Sequence, residues 1–184
     1  MMRVRPFLIA AGVLVGGYAA LSFLGAILLN RDLNQVSACE VRLGRLSLAL
    51  MHYASDHDGN LPAASAWASA IVGTEPSLHQ VISEADFKCP QARSAYGYAM
   101  PASLGGASLY DLKHPESTVL LVEYETGSMN GVATDPGAIP RGRHGGRVAV
   151  VYADGHGGGI NYIAAREELA DTLKLGHAGN ATSR

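Results

Sequence analysis

From Pro6 to Asn30 the chain carries no charged residue, and from Leu33 to His57 a helical pattern continues without a proline. As a helix, the roughly 24 apolar residues Pro6–Leu29 would extend about 36 Å, enough to cross the hydrocarbon core of a bilayer with some tilt. Past Asp32, Val36, Cys39, Leu43, Leu46, Leu50 and Tyr53 recur at steps of three and four, the stripe of a helix buried along one side. The sequence therefore predicts one long helix, its first half a membrane anchor (1–30) and its second half the spine of a separate domain (31–184).

Arg3 and Arg5 precede the apolar run and favour a cytoplasmic N-terminus, which places the domain on the periplasmic or extracellular side as a single-pass protein of the cell membrane. A cleaved signal peptide is the competing reading, with Ala20-Leu21-Ser22 as the junction; the length of the run favours the uncleaved anchor. The lipid bilayer is thus the first expected partner. Gly12, Gly16 and Ala20 fall four apart and offer a small-residue face against which a second helix can pack closely. With 14 basic and 16 acidic residues in 184, most of the basic ones scattered, no nucleic-acid partner is expected.

The amphipathic half should stop at Asp58-Gly59-Asn60-Leu61-Pro62, where Gly59 can take a left-handed cap and Pro62 forbids continuation. Downstream, glycine becomes frequent, which suits short strands and turns, and the expected class is α+β. A short helix around Trp67, with the indole as a core anchor, and another over Ser77–Ala85 are expected, then strands at Ser94–Ala99 and Ser117–Tyr124. Glu123 and Glu125, two apart, can point the same way as an acid pair, though a solvated strand end is the simpler reading, and Gly127–Gly142 reads as a long loop. Asp154-Gly155 between Arg147–Ala153 and His156–Ile163 predicts a β-hairpin, followed by a final helix over Ala164–Leu175.

Two cysteines, Cys39 and Cys89, would both lie outside the cytoplasm. A disulfide ranks first for them, worth roughly 4 kcal/mol in the chain-entropy account of a loop of about 50 residues; free thiols rank second and a metal site last, since no close-spaced pair is present. The cluster Arg141, Arg143, Arg147 is the one concentrated basic patch. His144 and Asp154 stand nine residues apart, with Gly155 and His156 following. A strand of that length would hold His144 and Asp154 roughly 30 Å apart. The expectation is accordingly no metal, no cofactor and no catalytic residue: Asp154 takes backbone bonds in its turn and His144 orders the preceding loop.

Taken together, the hydrophobic helix running into an amphipathic one, the Cys39–Tyr53 segment, Asp56, Gly59 and Leu61-Pro62, Lys88-Cys89-Pro90, the Val119–Glu123 strand and the pattern His144, Asp154, Gly155 come in one order. That order resembles the type IV pilin and type II secretion pseudopilin architecture, and more narrowly the pseudopilin-like proteins with a C-terminal H-x9-D-G motif, over most of the chain up to Tyr162. The resemblance implies a pilin-like fold, a long N-terminal helix packed on a small antiparallel β-sheet with a C-terminal hairpin and final helix. It also implies a non-enzymatic structural or assembly role in an envelope secretion or pilus-like system, with other pilin-like subunits as partners through Gly12, Gly16 and Ala20. Between Met1 and Asp32 there is neither a Gly-Phe junction nor an acidic residue, so the resemblance does not carry prepilin-peptidase cleavage or filament entry with it. The rival readings are an extracytoplasmic metal-dependent enzyme and an anchored binding module, both drawing on the region from Arg141 to His156.

Overall fold

A computed structural model describes residues 21–22, 24–25, 38–75, 81–141 and 143–178. The chain divides into two compact units, Met1–Asn34 and Gln35–Arg184. In the first unit Leu21, Ser22, Leu24 and Gly25 are described and helical. The rest of the expected membrane span lies outside the described residues, as do Gly12, Gly16 and Ala20. Among the described residues no helix is long and apolar enough to cross a membrane.

In the second unit, residues 38–56 form helix α1. Its stripe is buried where the spacing puts it: Cys39, Leu43, Leu46 and Leu50 have no exposure, and Ala49 and Ala54 join them. His52, Val41 and Leu48 face outward. The helix ends at the expected cap, where Gly59 takes a φ of 85° and its N–H donates to the Ala54 carbonyl at 2.8 Å.

Helix α2, Trp67–Ile71, is a short turn whose first N–H groups are satisfied from outside: the Asn130 side-chain oxygen accepts from the backbone of Ala68 and Ser69. Trp67 is fully buried, with its indole N–H donated to the Gly131 carbonyl at 2.8 Å, so it is the core anchor the sequence promised. The second short helix is not formed as expected: residues 81–83 are irregular and Glu84–Phe87 is a single 3-10 turn, with residues 76–80 outside the described set.

Five strands make one sheet in the order β3-β1-β2-β4-β5: β1 Tyr96–Pro101, β2 Val119–Thr126, β3 Gly131–Ala133, β4 Arg147–Tyr152 and β5 Gly157–Asn161. Neighbours β1–β2, β2–β4 and β4–β5 are antiparallel, but β3 runs parallel to β1. The sheet is therefore mixed, which corrects the antiparallel expectation. After β2 the chain turns back past the end of β1 and lies along its free edge. Gly131 makes that approach possible, because a Cβ there would lie 2.4 Å from the Tyr98 carbonyl oxygen. The stretch Gly127–Gly142 thus contains a strand as well as a loop.

Alternation along the strands divides the core into two layers. Tyr98, Met100, Leu121, Ala149 and Val151 face α1 and Trp67, while Ala99, Val122, Tyr124, Val148 and Val150 face helix α3, Tyr162–Ala178. The hairpin is formed as predicted, with Gly155 at a φ of 89° and its N–H donated to the Tyr152 carbonyl. Helix α3 buries Ala165, Leu169 and Thr172, and the Thr172 hydroxyl accepts the Val119 N–H at 3.0 Å, fastening the helix to the start of β2. Helix, mixed sheet and helix form an α+β domain.

Candidate functional site

On the α1 side of the sheet, four chemistry-bearing side chains from four separate segments meet in the interior. Cys39 comes from the first described turn of α1, Cys89 from the irregular segment before β1, Glu123 from the middle of β2 and His144 from the 3-10 turn His144–Gly146 that leads into β4. Each is there for a local reason. Cys39 belongs to the apolar stripe of α1. Glu123 is the residue of β2 two positions beyond Leu121, and period-two alternation turns both toward α1. His144 takes a φ of 48°, a left-handed conformation uncommon outside glycine, and its backbone N–H is held by the Gln91 side-chain oxygen at 3.1 Å. Cys89 lies hard against Gly97, where a Cβ would approach the Cys89 Cβ to 2.5 Å.

The donor atoms of these four residues all lie within 4.8 Å of one another. The Cys39 and Cys89 sulfurs are 3.3 Å apart and unbonded, each 3.5 Å from His144 Nε2. Glu123 Oε1 is 2.8 Å from the same Nε2 and 3.3 Å from the Cys89 sulfur, while Glu123 Oε2 accepts the Ala149 backbone N–H at 2.9 Å. The side chains of Glu123 and His144 have no exposure. His144 Nδ1 and the Tyr98 hydroxyl, both buried, make no well-formed hydrogen bond among the described residues.

Burial and charge act against each other here. Burial alone would raise Glu123, but its hydrogen bonds from His144 and from the Ala149 N–H hold it below the ordinary carboxylate range. Burial likewise opposes the charged form of His144, yet the contacts with Cys89 and Glu123 outweigh it and raise the imidazole to about 9. The two thiols shift in opposite directions. The hydrogen bond Cys39 donates, helped by His144, stabilises a thiolate at Cys89 against the effect of burial, while the same bond together with burial pushes the Cys39 thiol up.

Cysteine, histidine and carboxylate also make up a nucleophilic relay, and the arrangement argues against one. In a relay the imidazole uses one nitrogen for the nucleophile and the other for the orienting acid. Here both sulfurs and the carboxylate face the single atom Nε2, and all four residues are closed off from solvent. An open cavity of about 690 Å³ is lined by Gln91, Arg93, Glu125, Pro140, Arg141 and Arg143 and by none of the four.

The residues singled out in the sequence thus divide. His144 enters the buried cluster, where it meets Cys39 and Cys89, the two cysteines for which the sequence ranked a disulfide first and which are unbonded here. Asp154, Gly155 and His156 stay in the exposed hairpin turn: Asp154 Oδ1 accepts the His156 backbone N–H at 3.1 Å and pairs with His156 Nδ1 at 2.6 Å, and the imidazole stacks on Tyr152. The basic patch is dispersed. Arg143 is buried and paired with Glu125 at 2.5 Å, Arg147 donates to the Gly159 carbonyl, and Arg141 lies over the Tyr162 ring. The carboxylates Glu123 and Glu125 are not a solvated strand end: one is sealed in the cluster, and the other is held by Arg143 and by Ser94 at 2.6 Å. Glu123 is the member of the cluster that the sequence points to least, and the signal for it is a lone acid inside the apolar run Val119–Tyr124. Compared with family models, curated proteins and solved structures, the chain finds no match.

Proposed function

We propose that this chain is a membrane-anchored, extracytoplasmic pilin-like protein with a structural or assembly role in an envelope secretion or pilus-like system, and that it is not an enzyme. The observation that carries the reading is the seating of α1. Its stripe Cys39, Leu43, Leu46, Leu50 is fully buried beside the sheet, and it begins just past a stretch of 25 residues, 6–30, without a charge. In this reading the apolar run 6–29 continues into α1 as one helix, the bilayer holds its first half, and the sheet holds its second. Gly12, Gly16 and Ala20 supply the face on which other pilin-like subunits pack.

The burial of all four residues of the cysteine, histidine and glutamate cluster supports a non-catalytic role, since reacting groups ordinarily line an accessible cleft. Membrane fractionation of the full-length chain, combined with sequencing of its mature N-terminus and protease digestion from the outer face, tests the reading. The expected result is an intact Met1 or Met2 terminus in the membrane fraction, with the domain open to protease only from outside. Cleavage near Ser22 with release into the soluble fraction would overturn it.

A further inference from the structure

The geometry points to a structural metal site for a zinc-class divalent ion, ligated by Cys39 Sγ, Cys89 Sγ, His144 Nε2 and Glu123 Oε1. The inference concerns the core of the domain and stands independently of the anchored, pilin-like reading.

Four bonds of ordinary zinc length, about 2.3 Å to sulfur and about 2.0 Å to nitrogen or oxygen, place tetrahedral donors about 3.3–3.8 Å apart. The observed separations are 3.3 Å between the sulfurs, 3.5 Å from each sulfur to Nε2, 3.3 Å from Cys89 to Oε1 and 2.8 Å from Nε2 to Oε1. Opening the shell by about 0.5 Å at its shortest edges would seat the ion.

A hydrogen-bond network explains the convergence less well. Cys39 S–H donates to Cys89, Cys89 S–H to Glu123 Oε1, and Nε2–H to the same oxygen at 2.8 Å, which accounts for every proton and leaves the 3.5 Å approach of each sulfur to Nε2 unexplained. Three acidic groups and one imidazole in a dry interior call for a cation at their centre. The surrounding groups are placed accordingly. The Ala149 N–H occupies Glu123 Oε2 and leaves Oε1 for the ion, and Gln91 fixes the His144 backbone. The buried Tyr98 hydroxyl, lacking a well-formed hydrogen bond, stands beside Cys39, where a metal-bound sulfur would accept from it.

Two thiolates, an imidazole and one carboxylate suit a borderline ion such as zinc rather than calcium or magnesium. All four positions come from the protein, which leaves no open site for a reacting water. The ion would pin α1, the segment before β1, β2 and the turn before β4 at one point, so its binding would stabilise the fold directly.

The test is a metal titration of the full-length chain, purified in detergent with reduced thiols, using cobalt(II) as the probe and zinc(II) as competitor. Expected are about one equivalent bound, the strong visible absorption of tetrahedral cobalt with a thiolate charge-transfer band, displacement by zinc, and a higher unfolding midpoint with metal than with chelator. Glu123→Gln, which keeps the shape of the site, should weaken binding by at least about tenfold; Cys89→Ser should abolish the charge-transfer band or reduce it strongly. Because either variant could unfold, the parent spectrum stands as evidence by itself. A parent chain that gives no tetrahedral cobalt spectrum with both thiols reduced would overturn the site. So would a native preparation in which non-reducing peptide mapping finds Cys39 and Cys89 joined in a disulfide and elemental analysis finds no zinc.

Discussion

Strand β4 carries a histidine–carboxylate pair at each end, and the two pairs differ in almost everything except their contact. At its start, His144 Nε2 meets Glu123 Oε1 at 2.8 Å with neither side chain exposed; past its end, His156 Nδ1 meets Asp154 Oδ1 at 2.6 Å with side chains 53% and 37% exposed. The first pair joins strand β2 to the turn that leads into β4 and shares its space with two thiols. The second lies within one turn, and water can replace either partner. Similar distances therefore say little about what a pair does. An exposed pair trades one set of hydrogen bonds for another, whereas a buried one leaves an uncompensated group when either member is lost.

The largest effect should come from breaking the buried pair. Glu123→Ala leaves His144, both thiols and the Ala149 N–H without their shared acceptor, and should cost about 3–5 kcal/mol of folding stability in urea unfolding of the chain. Asp154→Ala, measured alongside, should move the midpoint far less, since its partners turn to water. Equal losses in the two variants would mean that burial does not separate the pairs.

The same contrast explains what the sequence could and could not reveal. The hairpin turn was legible because a local dipeptide, Asp154-Gly155, specifies it, and the buried face of α1 was legible because Cys39, Leu43, Leu46 and Leu50 repeat with the helix. The mixed sheet was not, since β3 has three residues in a stretch rich in glycine and proline and gains its place from distant partners, the Trp67 indole donating to the Gly131 carbonyl and the Ala68 N–H donating to the Asn130 side chain. Nor was the cluster. Its members stand 50, 34 and 21 residues apart along the chain, counting from 39 to 89, 123 and 144, so no local spacing announces it. Only the pairing of β2 with β4 and the docking of α1 bring them together. One of its four members, Cys39, could nevertheless be oriented in advance by the helical stripe, whereas the run before Glu123 is apolar on both faces and gives no direction to its side chain.

Two glycines sharpen the comparison at an intermediate scale. Gly97 adjoins the buried pair, and an added methyl would lie 2.5 Å from the Cys89 Cβ and 2.7 Å from its backbone nitrogen, atoms that cannot yield without moving Cys89 out of the cluster. Gly97→Ala should cost about 1–3 kcal/mol and should also lower cobalt affinity. Gly155→Ala meets the flexible end of Met51 at 2.9 Å, so its cost comes mainly from a φ of 89° and should be about 1–2 kcal/mol, with cobalt affinity unchanged. Thermal unfolding and metal titration of both variants separate the two causes. A loss of affinity in the turn variant would show that the ends of β4 are coupled.

The smallest effect lies in the acid limb of the stability profile. The hydrogen bond from His156 holds the Asp154 carboxyl below its ordinary value of 3.8. A carboxyl whose folded-state pKa is depressed adds stability that is fully present above the unfolded value and is lost as pH falls through the folded one. Asp154→Asn should therefore unfold slightly earlier than the parent near pH 6, and the difference should shrink toward zero as the pH drops below about 3.8. Unfolding midpoints of the two proteins across that range measure it. A gap that stays constant with pH would assign the role of Asp154 to turn geometry, through its bond to the His156 N–H, rather than to its charge. The exposed end of the motif would then be a shaped turn, and only the His144 end would carry electrostatic weight.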